Sequence, residues 1–201
     1  DREFYTQIQP TDLSKGILLI TNKYYQLEED YVNEDLVTID SKYSNRSGQK
    51  LNKEAYQAFQ KLVDAGEEDG VSIRNLSAYR SYSYQNNLYQ GYLKDHGQEW
   101  TDKWSARPGH SEHQTGLALD VAVKGQQSFD GFENTEEFAW LQENAYRFGF
   151  ILRYPENKTA ITGFGYEPWH YRYVGVEAAT YIYEHDITFE EYYTYFVEQE
   201  K

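Results

Sequence analysis

Five histidines and no cysteine confine any metal chemistry in this chain of 201 residues to imidazole and carboxylate ligands, and any nucleophile to an oxygen or an activated water. The histidines stand at 96, 110, 113, 170 and 185. His113 precedes Asp120 by seven positions with Gly116 between them, and His170 follows Glu167 by three. A zinc hydrolase needs three protein ligands, an open position for water and a separate carboxylate that takes the water's proton. His113, Asp120 and His170 with Glu167 satisfy that list. A plainer account fits the same spacing: two histidines satisfied by backbone carbonyls at a loop and a sheet edge, with Asp120 capping a turn. Neither spacing is diagnostic by itself. His110 is a competing ligand because H-x-x-H brings it near His113, although Pro108 and Gly109 just before it favour a tight turn. His96 and His185 fall at helix ends, where an imidazole beside the last carbonyls is ordinary.

The elements that must position these groups are legible to different degrees. Leu51, Ala55, Ala58/Phe59 and Leu62 follow the spacing of a helix with one buried face, ending near Gly66 and Gly70. VSIRNLSAYRS alternates Val71 and Ile73 and reads as a strand delivering Tyr79 and Arg80 to its end, before SYQNNLYQGYLKDHG returns to a helical period that stops by Gly97. Residues 98–116, with Pro108 and two glycines, are predicted to form a long loop, the kind that is usually functional. In LALDVAV, Leu117, Leu119, Val121 and Val123 share one strand face and Ala118, Asp120 and Ala122 the other, so the acid faces either solvent or a recess kept narrow by alanines. Asn134 and Glu137 form a capping-box pattern for the helix TEEFAWLQENAYRF, closed by Gly149, after which Phe150 to Leu152 begin a strand. Trp169, Tyr171 and Tyr173 alternate as in a strand, and Pro168 keeps Glu167 extended, so Glu167 and His170 are not a helical pair. Two short helices end the chain, the second opened by Thr188 with Glu191. The first 48 residues, with the apolar run GILLI at 16–20, read as an arm carrying one short strand.

Composition narrows the classes. Thirty-three acidic residues against 19 Lys plus Arg give a formal charge of -14, and no basic run offers a footprint for a phosphate backbone, so general nucleic-acid binding is excluded as a partner class. The 21 Tyr, 10 Phe and 4 Trp supply enough ring surface for a globular core in an otherwise polar chain. No apolar run reaches the ~18 residues of a membrane span, and the first residues lack a signal-peptide pattern. The missing initiator methionine and missing cysteines read as the trimmed outer part of an exported protein, and a tag-cleaved cytosolic chain would look the same.

SEHQTGLALD at 111–120 fits S-x-H-x-x-G-x-A-x-D and EPWH at 167–170 fits E-x-W-H, the two signatures of the VanY-like zinc carboxypeptidases of bacterial peptidoglycan, which this chain resembles. SAYRSYSYQ at 77–85 looks like the Y-R-S-x-x-x-Q element of that family, and 153–175 resembles its C-terminal block. The likeness covers roughly 50 to 195, and the lead-in LLITNKYYQLEEDYVNEDLV looks like that of the L,D-carboxypeptidase B branch. The resemblance implies zinc held by His113, Asp120 and His170, and Glu167 as general base and then acid. It implies Arg80 facing the scissile carbonyl or the terminal carboxylate, and Gln85 and Ser111 as hydrogen-bonding partners of that carboxylate. The expected activity is release of C-terminal D-alanine from peptidoglycan stem peptides, with L,D-cleavage of a tetrapeptide preferred to D,D-cleavage of a pentapeptide. A related phage-lysin type of endopeptidase and a non-catalytic cell-wall binding module, suggested by the aromatic content, are the rival readings. The layout expected is an arm at 1–48 packed on a zinc carboxypeptidase domain at 49–201. The fold expected is α+β, with a small, mostly antiparallel sheet carrying the zinc site and helices on one side. The protein is expected to be a monomer at the outer face of a bacterial membrane or in the cell envelope, with any membrane link supplied by an N-terminal anchor.

Overall fold

In the computed structural model, which describes residues 3–199, the arm contributes β1 (Gln9–Pro10), a 3-10 turn at Leu13–Leu18, β2 (Tyr25–Gln26) and β3 (Leu36–Thr38). Residues 1–2 and 200–201, at the ends of the arm and the tail, lie outside the described residues. The arm therefore holds three short strands instead of one. Its apolar run does not become a strand: the Asp12 side chain accepts from the Ser14 N–H at 3.0 Å and opens the 3-10 turn. Leu19 and Ile20 then run on, buried in two different cores. β1 pairs with β2 in parallel, and β3 pairs antiparallel with β4 (Lys50–Asn52), setting Val37 opposite Leu51.

Asn52 caps α1 (Lys53–Glu68), accepting from the Ala55 N–H at 3.2 Å, so Leu51 belongs to the strand before the helix. Ala55, Phe59, Leu62, Val63 and Gly66 form the buried face. The helix continues past Gly66, which serves packing: a Cβ there would stand 3.2 Å from Val71 Cγ2. Next come β5 (Ile73–Ser77) and α2 (Tyr82–His96), capped by Ser81 and closed at Gly97. Part of the predicted loop is helical, as α3 (Gln98–Trp104) and a 3-10 turn at Glu112–Thr115. At seven residues, with Thr101 alone buried, α3 is too short to print a period in the sequence.

The remaining elements are β6 (Ala118–Val123), α4 (Glu136–Asn144), β7 (Phe150–Leu152), α5 (Thr159–Thr162), β8 (His170–Tyr173), α6 (Val176–His185) and α7 (Phe189–Tyr192). The cap of α4 is Thr135 and not Asn134. Its hydroxyl accepts from the Phe138 N–H at 3.1 Å, while Glu137 reaches across to accept from the Ser72 N–H at 3.0 Å. Thr188 and Glu191 make the predicted reciprocal capping box of α7.

Four of these strands form one antiparallel sheet in the order β5-β6-β8-β7. α1 lays Phe59 and Leu62 against Leu119, Val121, Phe150 and Tyr171 in the main core. Each such side chain contributes about 1.5–3 kcal/mol on burial. A second core under α6 and α7 gathers Ile20, Ile151, Ala179, Ile182 and Phe189. The class is α+β, as expected, and no helix among the described residues is long and apolar enough to cross a membrane.

Candidate metal centre and catalytic cleft

Sheet register brings the chemistry together. Asp120 on β6 is paired with Ser77 on β5, beside an irregularity between Asn75 and Ser77, and with His170 on β8. Leu119 and Val121 point into the α1 core, so Asp120 must face the other way, between Ala118 and Ala122, both fully buried. The face is a recess and not solvent.

His113 arrives from the 3-10 turn, whose first N–H groups are met by Ser111: its hydroxyl accepts from the His113 N–H at 3.2 Å. Gly116, at φ 74°, then turns the chain into β6; a Cβ there would stand 2.9 Å from Leu36 Cδ2, so both conformation and space require glycine. His113 Nδ1 lies 2.7 Å from the carbonyl of Ala78 and donates to it, which leaves Nε2 as an acceptor, 3.3 Å from Asp120 Oδ2. The backbone carbonyl of the plainer account is present, but it occupies one nitrogen only. His170 Nδ1 sits 3.0 Å from Asp120 Oδ1. Among the described residues, one ligand atom each from His113, Asp120 and His170 lies within 4.8 Å of the others, and all three residues are buried. Glu167 Oε2 stands 4.0 Å from His170 Nδ1, its backbone N–H held by the Tyr154 carbonyl.

Arg80, just beyond β5, lines the same cleft. One guanidinium nitrogen, Nη2, is 3.0 Å from Asp120 Oδ2 and 3.0 Å from His113 Nε2, while Nε donates to Ser77 Oγ and Nη1 to Gln85 Oε1, each at 3.2 Å. Gln85 is buried on α2 and donates to the Ala106 carbonyl at 2.8 Å, so its oxygen is aimed at Arg80. Two ligand atoms thus already converge on a cationic group. Two imidazoles and one carboxylate, buried and directed at a common point, form a donor set that fits a zinc ion. His110 does not join it: Nδ1 is engaged by the Asn22 carbonyl at 2.7 Å and the ring meets Tyr5 edge-on, anchoring the arm.

Charge is strongly organised here. Burial alone would raise the Asp120 pKa, yet His113 and His170 beside it hold the carboxyl well below the usual range. Burial and the charge of Arg80 push His113 down. Burial opposes the shift of His170, but hydrogen bonds to Asp120 and Glu112 carry it up to about 9. Burial raises Glu167 to about 8, the range of a group that exchanges protons near neutrality. The cleft, about 300 Å³, is walled by Tyr84, Trp104, Phe164 and the stacked pair Phe129 and Trp169, with rings 4.2 Å apart.

One residue of the site is invisible to motif reasoning. Glu112, between the Ser111 cap and His113, is fully buried and accepts from His170 Nε2 at 3.0 Å, Arg153 Nε at 2.6 Å and Arg172 Nη1 at 3.1 Å. Its partners lie 41 to 60 positions away, and no local pattern links them.

Residues 48–176 match the VanY family, described as D-alanyl-D-alanine carboxypeptidase. The putative carboxypeptidase YodJ of Bacillus subtilis is 41% identical over 184 residues, 89% of this chain and 67% of that protein. The chain spans 56% and 60% of the length of two enterococcal D-alanyl-D-alanine carboxypeptidases. Among solved structures, the LdcB LD-carboxypeptidase is similar with a TM-score of 0.86 and 37% identity, covering 96% of this chain and 93% of the other. A vancomycin-resistance D,D-pentapeptidase VanY variant in complex with Zn(II) gives a TM-score of 0.75 and 37% identity, covering 87% and 97%.

Proposed function

Since the chain belongs to the VanY family of D-alanyl-D-alanine carboxypeptidases, we propose that it is a zinc metallo-carboxypeptidase that releases C-terminal D-alanine from peptidoglycan stem peptides. The observation that carries this reading is the buried convergence of His113, Asp120 and His170, with Glu167 and Arg80 beside it in an open cleft. Zinc, when bound, supplies a Lewis acid that polarises a carbonyl and acidifies water. Glu167 Oε takes the proton of the attacking water and returns it to the departing amine of D-alanine, a role its raised pKa suits. The side chain of Arg80 is a donor fork already aimed at the reaction centre, and when substrate enters it turns to the tetrahedral oxyanion or to the terminal carboxylate. Gln85 holds the fork through Nη1, and Ser111 both caps the His113 turn and lines the cleft, within the set that would meet the carboxylate.

The likeness to LdcB spans nearly all of this chain, arm included, and supports L,D-cleavage of a tetrapeptide stem. The VanY neighbour and the family description support D,D-cleavage of a pentapeptide as the second reading. Residues 49–201 are the catalytic domain and 1–48 an arm folded on it. A peptidoglycan substrate supports a working location in the cell envelope outside the membrane, and the enzyme is read as a monomer. Mass spectrometry of muropeptides after incubation is the deciding test. Loss of one alanine from the tetrapeptide is the expected result, loss from the pentapeptide alone would move the assignment to D,D-cleavage, and loss from neither would overturn the enzyme.

A further inference from the structure

The metal ligand His170 is gripped at both ring nitrogens, and the grip on the far side is built from charge that the reaction itself does not use. Nδ1 faces Asp120, and Nε2 faces Glu112 at 3.0 Å. Glu112 in turn is fixed by two arginines that are fully buried. Arg153 ties it to Glu190 of α7, donating to that carboxylate at 2.7 and 2.6 Å. Arg172 ties it to the arm, donating to the carbonyls of Ile17 and Leu19, each at 2.7 Å. An imidazole carries one proton when it ligates a metal, and the partner of the non-ligating nitrogen decides where that proton sits.

Resting on the zinc reading above, we propose that Glu112 is the positioning residue of the metal centre. Its carboxylate accepts the Nε2 hydrogen of His170, which reserves Nδ1 for the metal and fixes the plane of the ring. Arg153 and Arg172 hold that carboxylate in one orientation, so the arm and α7 reach the ligand through a continuous chain of buried charge. The alternative is that Glu112 only balances the arginines, and a comparison of two variants separates the accounts. Glu112→Gln changes the group that touches His170. Glu190→Gln removes charge from the same network at Arg153 without touching the ring.

The test is zinc affinity by competition with a chelator, read together with the Tm of the metal-free proteins. Glu112→Gln is expected to bind zinc about 10- to 100-fold more weakly, the usual effect of losing such a partner. Glu190→Gln is expected to lower Tm and leave zinc affinity within twofold. Should Glu112→Gln not fold, Glu112→Asp keeps the charge beside the arginines but shortens the reach to Nε2, and it is expected to fold and to lose zinc affinity. Nitrogen NMR of the zinc-loaded wild type should find the His170 proton on Nε2. Unchanged affinity in a folded Glu112 variant, equal losses in the Glu112 and Glu190 variants, or a proton on Nδ1 would each overturn the proposal. A wild-type protein that takes up no zinc at all would overturn the functional reading itself, and this proposal with it.

Discussion

At the scale of single residues, the proposed function separates metal holding from proton transfer, and substitutions should separate them too. Glu167 makes no hydrogen bond to the ligands closer than its 4.0 Å approach to His170, so Glu167→Gln should keep stoichiometric zinc while turnover falls by about 10²- to 10⁴-fold; metal analysis and kcat on the same preparation check both. Arg80 contributes positive charge within hydrogen-bond distance of two ligand atoms, so Arg80→Ala should bind zinc more tightly and yet lose kcat/KM on free-carboxylate peptides. The protonation of His170 gives zinc uptake a definite pH sign. With its pKa carried up to about 9, the doubly protonated ring stabilises the metal-free fold fully below about pH 6.5, a contribution lost as pH rises through about 9. On the proposed reading zinc would displace the Nδ1 proton, so its affinity should rise with pH up to about 9 and protons should be released on binding, measurable by calorimetry in buffers of different ionisation enthalpy. The residue types at 113, 120, 167 and 170 were legible because thiolates are absent and carboxylates with histidines are all that remain. Glu112 was not, since an acid in a polar loop looks solvated until the fold buries it among arginines from two other segments.

At the scale of elements, the sequence is legible where a period extends over several residues and silent where geometry is settled by contact. α1 announces itself through its buried face, and the alternation of β6 gives the orientation of Asp120. No pattern in the chain could show that Asp120 is in register with His170, because strand order depends on how α1 and α6 cover the sheet. α3 has no buried stripe to announce it in the sequence, yet it supplies a cleft wall. Trp104 lies so close to Gly165 that a Cβ there would fall 2.5 Å from the indole ring. Gly165→Ala must therefore displace Trp104, with an expected cost of about 1–3 kcal/mol in stability. Because the indole lines the cleft, KM should rise more than kcat falls; thermal melts and steady-state kinetics measure the two effects.

At the scale of the whole molecule, a formal charge of -14 surrounds a cleft in which, on the proposed reading, zinc on His113, Asp120 and His170 would form a local cationic spot together with Arg80. An anionic peptide terminus meets general repulsion at long range and attraction only near the site. Moderate salt screens the first over a Debye length of about 10 Å at 0.1 M and leaves the second largely intact. Raising ionic strength from a low value should therefore increase kcat/KM, and a flat ionic-strength series would contradict that picture. The composition alone indicated the repulsion; the attraction became visible only when residues from two strands and two connecting segments were brought to one place.

The buried bridge from Leu19 and Ile17 through Arg172, Glu112 and Arg153 to Glu190 joins segments that lie more than 150 positions apart in the chain. Contacts of that span form late, after local helices and hairpins have organised. During synthesis the two imidazoles and Asp120 are all made before Glu190 leaves the ribosome, but the brace behind His170 is still missing. The support behind His170 is in that sense the last part of the site to be completed, a keystone set once the two extremities of the chain have met.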